Sequence, residues 1–170
     1  TNIDRSLNRM AQAESAIGTS VNVLQRVYEL AVQARNDTNN AGDRAAIALE
    51  IKNLRDQMLS LANTRDTNGQ YIFAGYKVDV RPFVETAEGQ IAHKGDRGVH
   101  TLQISDNQRL STSLDGADVF LRLRQEDGIT DVFQSMDDMI DSLENGQMQD
   151  VHIDRMSVAV EHFSLQQTKL

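Results

Sequence analysis

The sequence contains no cysteine and no tryptophan, and it has a single proline among 170 residues. Without cysteine the chain has no disulfide, no cysteine-based zinc site and no thiol nucleophile. Aromatic residues make up only 5% of the chain, which is little aromatic bulk for an enzyme core. No apolar run approaches the roughly 18 residues that a membrane-spanning helix requires. These absences favour long, thin helices packed side by side and no insertion into a membrane.

The chain also lacks an excess of basic residues. It has 17 lysines and arginines against 25 aspartates and glutamates, a formal net charge of −8. Binding to nucleic acid phosphates requires a surplus of lysine and arginine, and so does an amphipathic helix on an anionic membrane surface. We therefore expect no nucleic acid partner.

Two long helices are predicted in the N-terminal part. Over residues 3–35 apolar or small residues recur in steps of three and four, at Leu7, Met10, Ile17, Val21, Leu24, Tyr28 and Ala31. After a turn-rich stretch, Asp43 is the expected N-cap of a second helix that runs to about Arg65, with its apolar row at Ile47, Ile51, Leu54, Met58 and Leu61. The short connection makes the two helices antiparallel neighbours.

The hydrophobic period then changes to that of strands. Asn68 and Gly69 signal a tight turn, and Tyr71–Phe73 is predicted as a strand that ends at Gly75. Further strands are expected at Phe83–Thr86, Gln90–His93, Val99–Ile104, Arg109–Leu114 and Val119–Leu123, and Gly95–Gly98 is expected to form a hairpin turn. This pattern indicates a small antiparallel β insertion.

Helical periodicity returns near residue 129 and continues to the end, interrupted at Asn145 and Gly146. The predicted fold is therefore mainly α with a β insertion (α+β). Residues 1–69 and 129–170 form a discontinuous rod of long antiparallel helices, and residues 70–128 form a β-rich domain. Leu24, Leu54, Met136 and Phe163 are expected in the core of the rod.

The sequence offers no persuasive catalytic motif. It has no phosphate-binding loop, dinucleotide fingerprint, nucleophile elbow or HExxH zinc motif. His93 and His100 could face each other across a hairpin and recruit a metal, but no third ligand is evident. A metal-dependent enzyme built on the insertion is therefore a remote alternative, and we predict no catalytic residue, metal ligand or cofactor.

Several stretches resemble the bacterial flagellin-like family. Residues 24–34 are similar to the long N-terminal helix of flagellins, and Asp43–Ile47 with Glu50, Ile51 and Leu54 are similar to the start of their second helix. The stretch carrying Asn68, Gly69, Tyr71, Ile72, Phe73, Gly75, Pro82 and Phe83 resembles the members of this family that join the flagellar hook to the filament.

The resemblance implies a secreted, extracellular structural subunit of the flagellum rather than an enzyme. In this family, terminal helices form the inner tube of the axial structure and hold the subunits in a ring, and we expect those segments to be absent from this sequence. The implied partners are copies of the same chain, a second hook-associated junction protein, flagellin and, for the full-length protein, an export chaperone. The alternative within the family is a flagellin filament subunit with a reduced outer domain.

The resemblance also suggests a surface for the innate immune receptor of flagellin. Gln25, Arg26 and Leu30 match the flagellin stretch that this receptor contacts, while Tyr28 stands where many flagellins have a basic residue. The alternative is that Leu30 belongs to the helical core and that Arg26 is a packing or solvated residue.

Overall fold

The computed structural model describes all 170 residues. The helices are α1 (Asn2–Ala34), α2 (Ala41–Ala62), α3 (Gly116–Phe120), α4 (Val132–Glu144) and α5 (Asp150–Gln167). The strands are β1 (Phe83–Glu85), β2 (Ile91–His93), β3 (Thr101–Ser105), β4 (Gln108–Ser111), β5 (Leu123–Gln125) and β6 (Gly128–Thr130). The α+β class expected from the sequence is confirmed. None of the helices combines the length and the apolar character needed to cross a membrane.

The four long helices pack in a ring. α1 packs on α2 and α5, and α4 packs on the same two helices, so α2 and α5 lie diagonally. α5 runs antiparallel to α1: Arg35, directly after α1, pairs with Asp150 at the start of α5 at 3.2 Å. At the other end of α5, Gln167 lies so close to Gly18 that a Cβ on this glycine would be 3.0 Å from its Nε2 atom. The small residue in the middle of α1 therefore allows close packing.

The start of α2 differs from the expected one. Asn40, rather than Asp43, is the N-cap: its side chain accepts a hydrogen bond from the Asp43 backbone N–H at 2.8 Å. The Asp43 carboxylate accepts in return from the Asn40 N–H at 3.0 Å. This reciprocal capping box satisfies two helix-end donors, and it starts the helix three residues earlier.

The apolar row predicted for α1 is partly wrong. Leu7 is 54% exposed and Tyr28 is 38% exposed. α5 reaches only as far as Gly18, so no helix covers the first turns of α1. Farther along, the buried row lies to one side of Tyr28, through Leu24, Val27, Leu30 and Ala31.

The β part consists of three separate two-stranded antiparallel hairpins, β1–β2, β3–β4 and β5–β6, rather than one sheet. Tyr71–Phe73 is not a strand, since Tyr71 forms only an isolated bridge with Arg65. Val119 and Phe120, predicted as part of a strand, lie in α3, because Asp115 caps this helix by accepting from the N–H groups of residues 117 and 118. The β5–β6 hairpin was not predicted.

One continuous hydrophobic core joins the helices to the irregular part of the chain. All five phenylalanines of the sequence are fully buried in it. Phe120 is their centre, with ring centroids at 5.3 Å from Phe73, 5.1 Å from Phe83, 6.4 Å from Phe133 and 5.3 Å from Phe163. Leu24, Leu54, Met136 and Phe163 are buried as predicted.

A histidine of α5 holds α3 in place. His162 Nε2 lies 3.0 Å from the Asp118 carbonyl oxygen and 2.9 Å from that of Val119, so it donates to the residues next to Phe120. Burial lowers the pKa of His162 from its ordinary value. Burial also lowers the pKa of His152, which contacts Ser142 Oγ at 2.7 Å between α4 and α5.

Two leucines of α2 test the packing of this helix. Leu54 is 9% exposed and Leu49 is 60% exposed. We expect Leu54→Ala to lower the free energy of unfolding by about 2–5 kcal/mol, the range for core truncations. Leu49→Ala is the matched control and should change it by about 0.5 kcal/mol or less. Urea denaturation measures both, and equal losses would show that the described face of α2 is wrong.

The two buried histidines predict a loss of stability in weak acid. Their pKa values are lower in the folded protein than in the unfolded chain, so the unfolded state binds more protons as the pH falls below about 6.5. Their stabilising effect is therefore complete above that pH and is lost as the pH falls through the lower, folded values. Thermal denaturation between about pH 7.5 and 5 should show this slope.

The control removes the titrating groups. A variant carrying His152→Gln and His162→Gln should show a smaller change of melting temperature over the same pH range. Burial raises the pKa values of Asp131 and Asp137, which makes acid favour the folded state through these groups. Both carboxyls are present in the parent chain and in the double variant, so the difference between the two slopes reports the histidines alone. An unchanged slope in the double variant would contradict the assignment.

Candidate functional site

The stretch predicted as the family motif is a 20-residue excursion from the end of α2 to β1. It is closed at its base by Asn63, whose side-chain amide pairs with the backbone of Phe83. Asn63 Nδ2 donates to the Phe83 carbonyl oxygen at 2.9 Å, and the Phe83 N–H donates to Asn63 Oδ1 at 2.9 Å. Pro82, just before β1, is buried and accepts from the Lys94 N–H at 2.7 Å.

The tight turn at Asn68 and Gly69 is organised by the buried carboxylate of Asp66. Its Oδ1 accepts from the N–H groups of Asn68 at 2.8 Å and Gln70 at 3.0 Å. Gly69 adopts a φ of +78°, the left-handed conformation in which glycine has no steric cost. The turn predicted here from the sequence is therefore present.

Arg9 attaches this turn to α1. Its Nη1 lies 3.6 Å from Asp66 Oδ2, and its Nη2 donates to the Tyr71 carbonyl oxygen at 3.4 Å. Both side chains of the ion pair are almost fully buried. This ion pair was not predicted from the sequence. The available signal was the position of Arg9 four residues before Ala13, because this spacing places a cation on the buried face of α1.

Glycines allow the chain around Phe73–Gly75 to be packed on both sides. A Cβ on Gly116 would lie 2.2 Å from the Phe73 carbonyl oxygen, and one on Gly95 would lie 2.5 Å from that of Ala74. Because these contacts are backbone to backbone, a side chain at either glycine would separate the segments. Ile72 and Phe73 are buried within this arrangement.

Asp96 fixes the end of the segment. Its Oδ1 accepts from the N–H groups of Tyr76 and Gly98, both at 2.8 Å. These two hydrogen bonds, Tyr76 first, lower the pKa of Asp96 from its ordinary value. Gly95–Gly98 is therefore not a hairpin turn as predicted: β2 and β3 are not paired, and the residues between them dock on Gly75 and Tyr76.

The two candidate metal ligands of the insertion have other partners. His93 Nε2 lies 3.0 Å from the Phe73 carbonyl oxygen, and His100 Nε2 lies 2.8 Å from that of Gly75. His93 ends β2 and His100 lies just before β3, and these two strands are not paired, so the expected facing arrangement across one hairpin is wrong. No group of three or more histidine, cysteine, aspartate or glutamate side chains is placed to hold a metal ion.

The residues that match the flagellin receptor stretch divide between surface and core. Gln25 is exposed, and Arg26 lies on the surface, where it pairs with Glu50 of α2 at 2.9 Å. Leu30 is only 3% exposed and lies in the hydrophobic core, in agreement with the alternative that the sequence offered, so it does not form part of a receptor surface. For Gln25 and Arg26, contact with the immune receptor stays a prediction.

Alanine substitutions at two glycines of the motif measure the cost of backbone strain and the cost of crowding separately. Gly69 and Gly75 both have positive φ, but no atom lies within 4 Å of a Cβ on Gly69, while one on Gly75 would lie 2.0 Å from Asp96 Oδ1. We expect Gly69→Ala to cost about 1–2 kcal/mol of folding stability. Gly75→Ala should cost a further 1–3 kcal/mol or so, as overpacking does.

Denaturant titration of the two alanine variants measures the difference. Gly89→Ala, at another positive-φ glycine with open space around it, is a second control for the strain alone. If Gly75→Ala were no more destabilising than the two controls, the docking of Gly75 on Asp96 would be incorrect.

Known proteins with similar sequences are found for the N-terminal part of the chain and for a longer stretch of it. Residues 1–78 match the family of the bacterial flagellin N-terminal helical region. The flagellar hook-associated protein 3 of Salmonella typhimurium is 35% identical over 112 residues, which are 66% of this chain and 34% of that protein. A flagellin of Clostridium tyrobutyricum is 40% identical over 78 residues, 46% of this chain and 21% of that protein.

The whole fold also has a relative among solved structures. The flagellar junction protein of Legionella pneumophila superposes with a TM-score of 0.87 at 16% identity, covering 99% of this chain and 90% of that chain. The present chain spans about a third of the length of the Salmonella protein, so the match concerns one part of a longer relative. The chain is therefore similar in sequence to bacterial flagellar proteins of the flagellin-like family, through its N-terminal region and through the 112 matched residues, and it shares the fold of a flagellar junction protein.

Proposed function

We propose that the chain is the folded body of a structural subunit that links the flagellar hook to the filament. The observation that carries this proposal is the agreement of the fold with a flagellar junction protein over 99% of this chain and 90% of the other. The 35% identity to a hook-associated protein supports it independently. The site of action is the hook–filament junction, outside the cell after export.

The proposed architecture assigns separate roles to separate parts. Residues 1–69 and 129–170 form the helical rod, and residues 70–128 form the β-rich insertion that projects from it. The single core shared by both parts supports a rigid body, since Phe73, Phe83 and Phe120 of the insertion pack with Phe133 and Phe163 of the rod. A rigid body suits a subunit that holds two different assemblies together.

The proposed partners follow from the same role. They are further copies of the chain arranged in a ring, a second hook-associated junction protein on the hook side, flagellin on the filament side, and an export chaperone before secretion. Terminal helices outside this sequence would supply the inner tube of the ring and the chaperone site. The alternative is a flagellin filament subunit, which the identity to a flagellin over the N-terminal part favours.

Deletion of the gene tests the adaptor role. Cells without the protein should retain hooks, release flagellin into the medium and swim poorly, because flagellin would have no attachment point. Complementation with the complete gene should restore attached filaments. Full filaments and normal swimming in the deletion strain would exclude the adaptor role.

Immunogold electron microscopy separates the two family alternatives. An antibody against this chain should label one short band between hook and filament. Label along the whole filament would instead identify a filament subunit. An antibody against flagellin in the same cells is the matched control for filament labelling.

A further inference from the structure

Two charged grooves lie at different corners of the helix ring. The first, here called the acidic groove, lies between α2, the β1–β2 hairpin and α4, and five carboxylates line it: Asp56, Glu85, Glu88, Asp137 and Asp141. The second, here called the basic groove, lies along α5 beside β6 and the segments 97–99 and 111–124. Because α2 and α5 are diagonal in the ring, the two grooves lie on different sides of the molecule.

The acidic groove keeps uncompensated charge after its internal ion pairs are formed. Two cations line it, Lys52 and Arg55. Arg55 is buried and uses its guanidinium on Asp137, at 2.6 Å from Nε to Oδ1, and on Glu85 at 3.5 Å, while Lys52 pairs with Glu144. Asp56, Glu88 and Asp141 are exposed and form no ion pair, so three free carboxylates remain at this groove.

The basic groove has the opposite balance. Arg97 pairs with Asp115 and Asp118, both at 2.6 Å, and Arg122 pairs with Asp118 at 3.3 Å. Both aspartates are therefore already paired within the chain. Arg124 and Lys169 line the groove, are exposed and form no ion pair. On a chain with a net charge of −8, two free cations in one groove are a local exception to the overall sign. One further carboxylate, that of Glu161, lines it without an ion pair.

The basic groove also exposes apolar surface. Ile129 of β6 and Leu165 of α5 line it, and each is 58% exposed. The groove has a volume of about 870 Å³, which admits several side chains of a partner. Exposed apolar side chains beside free charges of one sign are typical of a contact surface for a partner of the opposite sign.

We propose that the basic groove binds the acidic groove of a second copy of this chain, head to tail. The free cations Arg124 and Lys169 of one copy would meet the free carboxylates Asp56, Glu88 and Asp141 of the next. A contact made by two different surfaces leaves one groove open on each partner, so it repeats around a ring or along a chain. The inference rests on the proposed junction role, and it names rod surfaces, in addition to terminal helices, as contacts between neighbouring subunits.

The strength expected of this contact is low. The charges involved are exposed, where ion pairs contribute little and salt screens them, and the net charge of −8 makes whole molecules repel one another. The contact therefore orients copies that are already held close rather than driving assembly alone. Detection needs a high protein concentration and a covalent trap.

The absence of cysteine from the sequence makes disulfide trapping specific. Ala87→Cys places a thiol beside Glu88 in the acidic groove, and Thr168→Cys places one beside Lys169 in the basic groove. Asp37→Cys, in the exposed loop between α1 and α2, is the control for random collision. Each variant is concentrated at low salt, mildly oxidised and analysed by non-reducing electrophoresis.

A mixture of Ala87→Cys and Thr168→Cys should give a cross-linked dimer, while each variant alone should give no more dimer than Asp37→Cys. The chain carrying both cysteines should give a ladder of higher multimers. Dimer from either single variant above the control would indicate a symmetric contact and overturn the head-to-tail proposal. A mixture that cross-links only to the control level would overturn it altogether.

Charge exchange identifies the interaction responsible. Adding Arg124→Glu and Lys169→Glu to the Thr168→Cys chain should reduce cross-linking to the control level. Adding Glu88→Lys and Asp141→Lys to its Ala87→Cys partner should restore it, and about 0.5 M salt should weaken both pairings. Circular dichroism of each variant shows that it is folded. If the charge reversal did not abolish cross-linking, this contact would be excluded. The junction role would stand as long as the complete gene still restored attached filaments in the deletion strain.

Discussion

The structure depends on the packing of one side chain, Phe120. It stands on α3, a helix of only five residues that could not be stable by itself. Its ring meets Phe73 and Phe83 edge-on from the insertion side, and it meets Phe133 of α4 and Phe163 of α5 from the helical side. Aromatic contacts of this kind add to the burial of a large apolar area. The insertion therefore shares the core of the helices instead of forming one of its own.

The polar groups around Phe120 secure the same junction. Asp115 caps α3 and also accepts from Arg97, which fixes the helix against the chain that follows β2. His162 donates to the carbonyl oxygens of Asp118 and Val119, the two residues before Phe120. Asn63 closes the base of the excursion that contains Phe73 and ends at Phe83. Since hairpins of two strands are marginal alone, these long-range contacts supply order that the strands cannot.

The sequence predicted the elements whose signal is local. The two long N-terminal helices, the positions of strands β1 to β4 and the turn at Gly69 all follow from hydrophobic period or turn chemistry within a few residues, whereas the pairing of the strands did not. Tyr71–Phe73 has the composition of a strand, but its backbone N–H groups are used elsewhere: that of Tyr71 donates to Val78 and that of Ile72 to Thr64. A short apolar run does not distinguish a strand from a helix, so α3 was missed too.

The features that the sequence did not predict are those that join distant residues. The Arg9–Asp66 pair spans two elements that come together only after α1 and α2 fold back on each other. The position of Leu7 depends on where α5 ends, which period alone does not specify, since an apolar row predicts a buried face only where another element covers it. Likewise, the motif residues could be recognised from their pattern, while their docking on Asp96 and Gly116 required the fold.

The distribution of charge separates folding from association. The buried cations Arg9 and Arg55 act within the chain, where loss of a partner would leave a desolvated charge. The exposed Arg97 also acts within the chain, because it pairs with two aspartates. The charges left free at the two grooves are exposed and cost little to the folded state. An acidic chain with free cations beside exposed apolar side chains in one groove can remain dispersed through long-range repulsion and still recognise a neighbour at short range. Screening removes the distant repulsion before it weakens direct contacts. Such a division fits the proposed contact between copies, which orients molecules that are already close and does not drive their association.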